Sequence, residues 1–194
     1  YFTNKPDLSI HGIEPIYVIY TSALWKPGTS FQDNPPQLKP DEKYIKIGTE
    51  YIVHEYNPMI SVIDIELWPT YKVKPDIRRQ SIHKLMTVLR NVRNHAPGMK
   101  LGFYGILPNG DYWTPMLRKS ADLEQWYRAN DEMKLLAHKV DYIFPSLYAA
   151  YNDPDGWINF AKTNLAEAKK YGKPVYPFIW PKFHNSNKKL GLTP

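Results

Sequence analysis

The sequence predicts an α/β fold of the (β/α) type, in a TIM-barrel-like arrangement where parallel strands alternate with helices. Strand and helix patterns alternate along the chain, their spacings allow right-handed β-α-β crossovers, and polar groups follow the strands. Five stretches have the apolar, β-branched and aromatic composition that is typical of parallel strands: 15–21, 60–68, 100–107, 140–148 and 174–180.

Helices are predicted between these strands, because apolar residues recur there at helical spacing. The first two helices are expected at 40–56 and at 75–95, and an Ala-Pro-Gly sequence ends the second. A third is expected at 121–138, and a fourth runs from an Asn-Asp-Pro cap at 152 to Gly172. Residues 22–40 are rich in proline and predict a long loop, of the kind that often borders a cleft.

The length bears on the domain organisation. A closed eight-stranded (β/α) barrel typically needs about 250 residues. We therefore expect residues 1–194 to form a single barrel-like catalytic domain that lacks its last strands. Strands 15–21 and 174–180 would then leave unpaired edges, and the polar tail at 184–194 has the composition of a loop leading into another element.

Composition restricts the classes of function. Hydrophobic residues make up 43% of the chain and charged residues 23%, which is typical of globular proteins. The chain has no cysteine, and this excludes disulfides, thiolate catalysis and cysteine metal sites. No apolar run approaches the ~20 residues that span a membrane. The histidines have no ligand-like spacing, so neither a metal site nor a cofactor is predicted.

The chain carries a net charge of +6, and 14% of its residues are aromatic. These values are compatible with a soluble basic protein or with attraction to an acidic polysaccharide, to nucleic acid or to an anionic surface. Nucleic acid is the weakest of these hypotheses, because the basic run on the helix at 75–95 is most often a solvated face. That run contains Arg78, Arg79, Lys84, Arg90 and Arg93.

The stretch at 61–69 has the strongest functional signal. It is an apolar strand pattern interrupted by Asp64 and Glu66, and Pro69 ends it. Side chains two positions apart on a strand point to the same side, and the Cα atoms of such residues are about 6.6 Å apart. Both acids and Trp68 are therefore expected to share one face. Carboxylates on an apolar strand are costly unless they are partnered or used. The two acids are therefore candidate catalytic residues, with a buried structural pair as the alternative.

Further polar and aromatic groups follow the other predicted strands. In a barrel the carboxyl ends of the strands converge on one face, where acids handle protons and aromatic rings stack on sugars. Tyr112 is also compatible with an ordinary turn, and Tyr148 with the barrel core. The groups at these ends are Asn109, Asp111 and Tyr112; Ser146, Tyr148 and Tyr151; and Trp180, Lys182 and His184.

These motifs resemble the hyaluronidase family of glycoside hydrolases over about residues 60–183. The run from Val62 to Trp68 is similar to the family's Val-Ile-Asp-Trp-Glu-x-Trp strand, with Ile65 in place of the central Trp, and its Asp-x-Glu pair is also similar to the chitinase motif. Phe144-Pro145-Ser146-Leu147-Tyr148 closely resembles the family's Phe-Pro-Ser-Ile-Tyr. Weaker similarities cover 101–108, which in the family leads to an active-site Tyr, and 174–181, which lacks the family's Arg.

The resemblance implies a glycoside hydrolase that cleaves an N-acetylhexosamine-containing polysaccharide by substrate-assisted retaining hydrolysis. Glu66 would be the general acid/base, and Asp64 would orient the acetamido group that acts as the nucleophile. Adjacent like charges are expected to raise the pKa of Glu66. Tyr148 is assigned to the catalytic set, and the expected substrate-binding residues are Trp68, Tyr104, Tyr112 and Trp180.

An alternative is a non-catalytic polysaccharide-binding or scaffold module that keeps the barrel framework. Ile65, the missing Arg and the short chain favour this alternative. The family's later tryptophan strand and its disulfides have no counterpart here. In either case the expected partner is a polysaccharide, and a secreted or extracytoplasmic location is expected.

Overall fold

A computed structural model describes residues 9–13, 15–32, 37–117, 119–180 and 182–183. Its sheet has three parallel strands, β1 (Tyr17–Tyr20), β2 (Ile60–Asp64) and β3 (Lys100–Phe103), in the order β1-β2-β3. β2 therefore lies in the centre of the sheet, and helices provide the connections between the parallel strands. The expected tail at 184–194 lies outside the described residues.

Helices connect and cover the strands. The helix between β1 and β2 begins after Asp41, whose carboxylate accepts a hydrogen bond from the backbone of Tyr44 at 3.3 Å. The next helix begins with a proline at its first position and ends before Ala96, as its sequence pattern predicts. The α-helices are α1 (Glu42–Tyr56), α2 (Pro75–His95), α3 (Trp113–Leu117), α4 (Ser120–Glu132), α5 (Lys134–Lys139) and α6 (Pro154–Lys169), and short 3₁₀ helices cover Ser9–His11 and Thr21–Leu24.

The expectation of five strands is wrong for the described residues. Segments 140–148 and 174–180 run parallel to β3 in the expected order but are joined only by isolated bridges, such as Tyr104 to Phe144 and Ser146 to Phe178. Proline has no backbone N–H, so Pro145 and Pro174 cannot donate the bonds that a continuous ladder between these segments requires. For the described part of the chain, a mixed α/β fold is shown and a barrel is not.

Several element boundaries also differ from the prediction. β2 ends at Asp64 rather than at residue 68, and β3 ends at Phe103 rather than at 107. The helix expected at 121–138 is two helices that meet at Met133. The loop expected at 22–40 contains part of the 3₁₀ helix Thr21–Leu24. β2 and β3 are shorter than predicted because their backbones stop pairing as strands at the carboxyl edge of the sheet, where the site is formed.

The core lies between the sheet and the helices that cover it. Ile63 and Ile65 are fully buried and pack with α1 and α2 residues such as Ile45 and Leu85. Gly102 marks a close backbone approach, because a Cβ there would overlap the Tyr142 carbonyl oxygen and the Phe144 ring. A glycine inside a strand often marks such a close approach. Among the described helices, none is both long and apolar enough to span a bilayer.

Candidate active site

A cavity of about 530 Å³ opens at the carboxyl ends of the strands. Its walls come from β1, from the residues that follow β2 and β3, and from the two bridged segments. This is the edge where parallel α/β folds place their ligands. Six of the seven predicted site residues border the cavity, namely Asp64, Glu66, Tyr104, Tyr112, Tyr148 and Trp180.

Asp64 and Glu66 lie together on one wall. Asp64 is the last residue of β2 and is partly buried, whereas Glu66 is exposed two residues later. The Asp64 carbonyl oxygen accepts a hydrogen bond from the Thr21 hydroxyl at 3.0 Å, which ties this end of β2 to the residue after β1. Both acids also border a second cavity of about 590 Å³ on the side of Tyr20 and Phe31. The acids therefore face open space on two sides.

The electrostatic effect of the pair falls on Asp64. Burial, followed by the charge of Glu66, raises the pKa of the Asp64 carboxyl group from its ordinary value of 3.8 to about 6. The sequence pattern instead predicted a raised pKa for Glu66. Asp64 is the carboxyl group that the sheet desolvates, because it still belongs to β2 while Glu66 has left the strand and reached solvent.

Two tyrosines and a serine form a second wall. The hydroxyl oxygens of Tyr104 and Ser146 lie 2.9 Å apart, and the rings of Tyr104 and Tyr148 are 5.9 Å apart. Burial raises the pKa of Tyr104 well above its usual range and also raises that of Tyr148. The negative charges of Asp64 and Glu66 act on Tyr148 in the same direction. Both phenols therefore stay protonated and can donate hydrogen bonds into the cavity.

Aromatic rings line the remaining part of the cavity. The Tyr112 ring packs against Tyr151 at 5.0 Å and Phe160 at 4.9 Å, and its buried hydroxyl group has no hydrogen-bond partner within the described residues. On another wall Trp180 is 43% exposed, and its ring lies 5.8 Å from that of Tyr148. Exposed or unpaired aromatic groups at this edge can contact a sugar ring or a hydroxyl group.

Trp68 does not line this cavity. It is 3% exposed in the main core, its indole N–H donates to the Leu38 carbonyl oxygen at 3.1 Å, and its ring is 5.8 Å from that of Trp25. It borders only a smaller cavity of about 330 Å³ next to Glu66. The alternation that placed Trp68 beside the acids holds only while the chain is a strand, and β2 ends at Asp64.

Three cavity residues were missed as site candidates. Tyr20, at the end of β1, borders both cavities that the acids face, and it could have been found from its position at the end of a predicted strand. Ser146 and Asp111 were placed at strand ends but not assigned a role. Asp111 accepts hydrogen bonds from the Thr114 hydroxyl at 2.5 Å and from the Trp113 backbone at 3.1 Å.

Metal chemistry has no candidate site in the described part of the chain. No group of three or more His, Asp or Glu residues there is arranged to hold an ion. The cavity is lined by the carboxyl groups of Asp64, Glu66 and Asp111, by phenol and serine hydroxyls and by aromatic faces.

Comparisons with known proteins identify similar structures. No protein-family model matches the sequence, and no curated protein matches it. A crystal structure of bee venom hyaluronidase matches with a TM-score of 0.64 and 16% identity, over 88% of this chain and 69% of that one. Bee venom hyaluronidase in complex with a hyaluronic acid tetramer matches with a TM-score of 0.61 and 14% identity, over 88% and 68% of the two chains. The described chain therefore has a hyaluronidase-like fold.

Proposed function

We propose that this protein is a glycoside hydrolase that cleaves an N-acetylhexosamine-containing polysaccharide, and that it is secreted or extracytoplasmic. The observation that carries the proposal is the position of Asp64 and Glu66. Both acids lie on the wall of one cavity, at the edge of the sheet where tyrosine hydroxyls and aromatic rings converge. The likeness to bee venom hyaluronidase, which has been crystallised with a hyaluronic acid tetramer, supports a polysaccharide substrate.

In the proposed mechanism Glu66 is the general acid/base. It donates its proton to the glycosidic oxygen as the bond to C1 breaks, while the acetamido oxygen of the substrate attacks C1 and forms an oxazolinium ring. The Glu66 carboxylate then takes a proton from a water molecule, which adds to C1 and opens the ring with overall retention of configuration. The exposure of Glu66 allows it to exchange this proton with solvent.

Asp64 orients the reacting acetamido group in this scheme. One of its carboxyl oxygens accepts a hydrogen bond from the substrate N–H, which turns the acetamido oxygen towards C1. When ionised, Asp64 also stabilises the positive charge of the oxazolinium ring. Its partly buried position at the end of β2 makes the carboxyl group a fixed partner rather than a mobile one.

The aromatic residues hold the sugar. Tyr148 would donate a hydrogen bond from its phenol group to the acetamido oxygen or the ring oxygen of the substrate. The Tyr104 ring contacts the Tyr148 ring and keeps it in place, and the hydroxyl group of Tyr104 is in turn held by that of Ser146. Tyr112 and Trp180, which line the same cavity as the acids, would contact sugar rings. Trp68 is proposed only as a support for the loop that carries Glu66, because it is buried in the core.

A non-catalytic polysaccharide-binding module remains the second candidate. It is favoured by Ile65, which is fully buried where the resembling strand motif has Trp between its acids. An aromatic-lined cavity binds sugars without requiring either carboxyl group. The two candidates differ in turnover, because only the hydrolase releases new chain ends.

The experiment that tests the proposal is the release of reducing ends from hyaluronan, chitin and peptidoglycan glycan. Turnover of at least one of these polymers is expected. Binding of a glycan without turnover, unchanged when Asp64 and Glu66 are replaced by Asn and Gln, would support the binding module instead.

A further inference from the structure

The exposed side of α2 carries two adjoining cavities whose linings are rich in basic side chains. One cavity of about 480 Å³ contains Arg79, and the other, of about 280 Å³, contains Arg90; His83 borders both. We define the basic groove as these two cavities with the basic residues that line them: Arg79, His83, Lys84, Arg90, Arg93 and Lys139.

Two of these cations have no partner within the described residues. Arg79 and Arg90 are exposed and form neither an ion pair nor a hydrogen bond there, whereas Arg93 pairs with Asp141 at 2.6 Å. Asp76 is the one acid among the described residues that line the groove. Arg79 and Arg90 are about 16 Å apart along the helix axis, so they match two separate charges on an extended chain.

Side-chain contacts connect α2 to the loop that follows β2. The Ser81 hydroxyl donates to the Pro69 carbonyl oxygen at 2.8 Å, and the Arg78 guanidinium donates to the Thr70 carbonyl oxygen at 2.8 Å. These bonds fix the amino-terminal half of α2 to the loop that carries Glu66. The Lys84 ammonium lies 5.6 Å from the centroid of the Trp68 ring in the same loop. The helix that carries the basic groove is therefore held against the loop that carries Glu66.

The chemistry of the groove favours a carboxylate-bearing polysaccharide. Arginine binds carboxylates in a bidentate geometry. Among the described residues that line the groove none is Phe, Tyr or Trp, whereas proteins that bind single-stranded nucleic acids stack bases on such aromatic rings. Met86, which is partly buried, also lines the groove and provides an apolar contact for a sugar ring.

We propose that the basic groove is a second binding site for an acidic polysaccharide, in which Arg79 and Arg90 each pair with one carboxylate of the chain. The choice of a polysaccharide rests on the proposed function, but the site is separate from the reacting groups. It would hold the polymer outside the cavity and leave the chemistry at Glu66 unchanged.

The test measures the affinity for a hyaluronan fragment that is long enough to span the groove, at low salt and in a Glu66→Gln background that prevents cleavage. The double variant Arg79→Gln/Arg90→Gln is expected to bind roughly tenfold more weakly, since it loses two charge-assisted contacts. The matched control is Lys162→Gln/Lys169→Gln, which removes two exposed charges from α6 and should bind as tightly as the parent.

Equal affinity of the two double variants would overturn the proposal, and so would a duplex DNA that displaces hyaluronan and binds more tightly. Failure of this proposal is distinguishable from failure of the proposed function. If polymers are cleaved but the α2 substitutions have no effect on affinity, only the groove is wrong. If the α2 substitutions weaken binding but no glycan is cleaved, the groove stands and the hydrolase assignment is wrong.

Discussion

Lys72 and Asp111 form an ion pair of 2.9 Å between Nζ and Oδ2, which joins the loop after β2 to the loop after β3. The first loop carries Glu66 and the second carries Tyr112, so this contact sets the spacing of two sides of the candidate active site. The Asp111 side chain is 9% exposed and that of Lys72 is 61% exposed. The carboxylate is therefore the fixed member of the pair.

Replacement of Asp111 by Ala is expected to lower the free energy of unfolding by about 1–3 kcal/mol, because the Thr114 hydroxyl and the Trp113 backbone N–H lose their acceptor. Lys72→Met should cost less than about 1 kcal/mol, as is usual for an exposed ion pair. Urea unfolding measures both values. Equal losses for the two variants would mean that the ion pair, rather than the internal hydrogen bonds of the loop, dominates.

The raised pKa of Asp64 predicts a pH dependence of stability. Because the folded-state pKa is raised, the contribution of this group to stability is fully present below its ordinary pKa of 3.8 and is lost as the pH rises through about 6. An Asp64→Asn variant lacks this titration, so its stability relative to the wild type should increase across that interval. Urea unfolding of both proteins at pH values below, within and above this interval measures the difference between their free energies of unfolding. A constant difference would show that Asp64 is not desolvated.

Trp68 and Trp180 should respond differently to replacement by Phe. Trp68→Phe is expected to lower the free energy of unfolding by about 2 kcal/mol, because it leaves a gap in the core and removes the bond to Leu38. Trp180→Phe should have little effect on stability and should raise the KM for a glycan. Thermal or urea unfolding is compared with steady-state kinetics. A Trp68 variant of normal stability with a raised KM would place Trp68 in the sugar site.

Arg78 and Arg79 are neighbours with different roles. The Arg78 side chain is 7% exposed and pairs with Glu132 at 2.7 Å, so Arg78→Gln should cost about 2 kcal/mol of stability. Arg79→Gln should change stability by less than about 0.5 kcal/mol, since it is an exposed surface change. Similar losses for both variants would indicate that Arg79 has a partner within the fold.

The helices were more predictable than the strands. The bounds of α2 follow directly from Pro75 at its first turn, an apolar stripe facing the core and the Ala-Pro-Gly sequence after His95. Strand lengths depend on which neighbours offer backbone partners, and this is a tertiary property. Residues 140–148 have a strand composition, yet Pro145 interrupts their ladder. Apolar composition alone therefore overestimated the sheet.

The site was predictable where it depended on local spacing. Asp64 and Glu66 are two residues apart, and both reach the cavity even though β2 ends at the first of them. Trp68 lies only two residues further on, but the chain has turned into the core by then. Which carboxyl group is desolvated depends on packing that the sequence pattern does not contain. The same holds for the Tyr104–Ser146 contact, which joins two segments far apart in the chain.

The most direct test of the account compares Glu66→Gln with Glu55→Gln in the release of reducing ends from the polymer that the wild type cleaves best. Glu55 is an exposed acid on α1 and does not border the cavity, so the control removes the same charge elsewhere. The account predicts that Glu66→Gln lowers kcat by at least about a hundredfold, as expected for loss of a general acid, while Glu55→Gln keeps wild-type activity. Full activity of a folded Glu66→Gln variant would contradict the account.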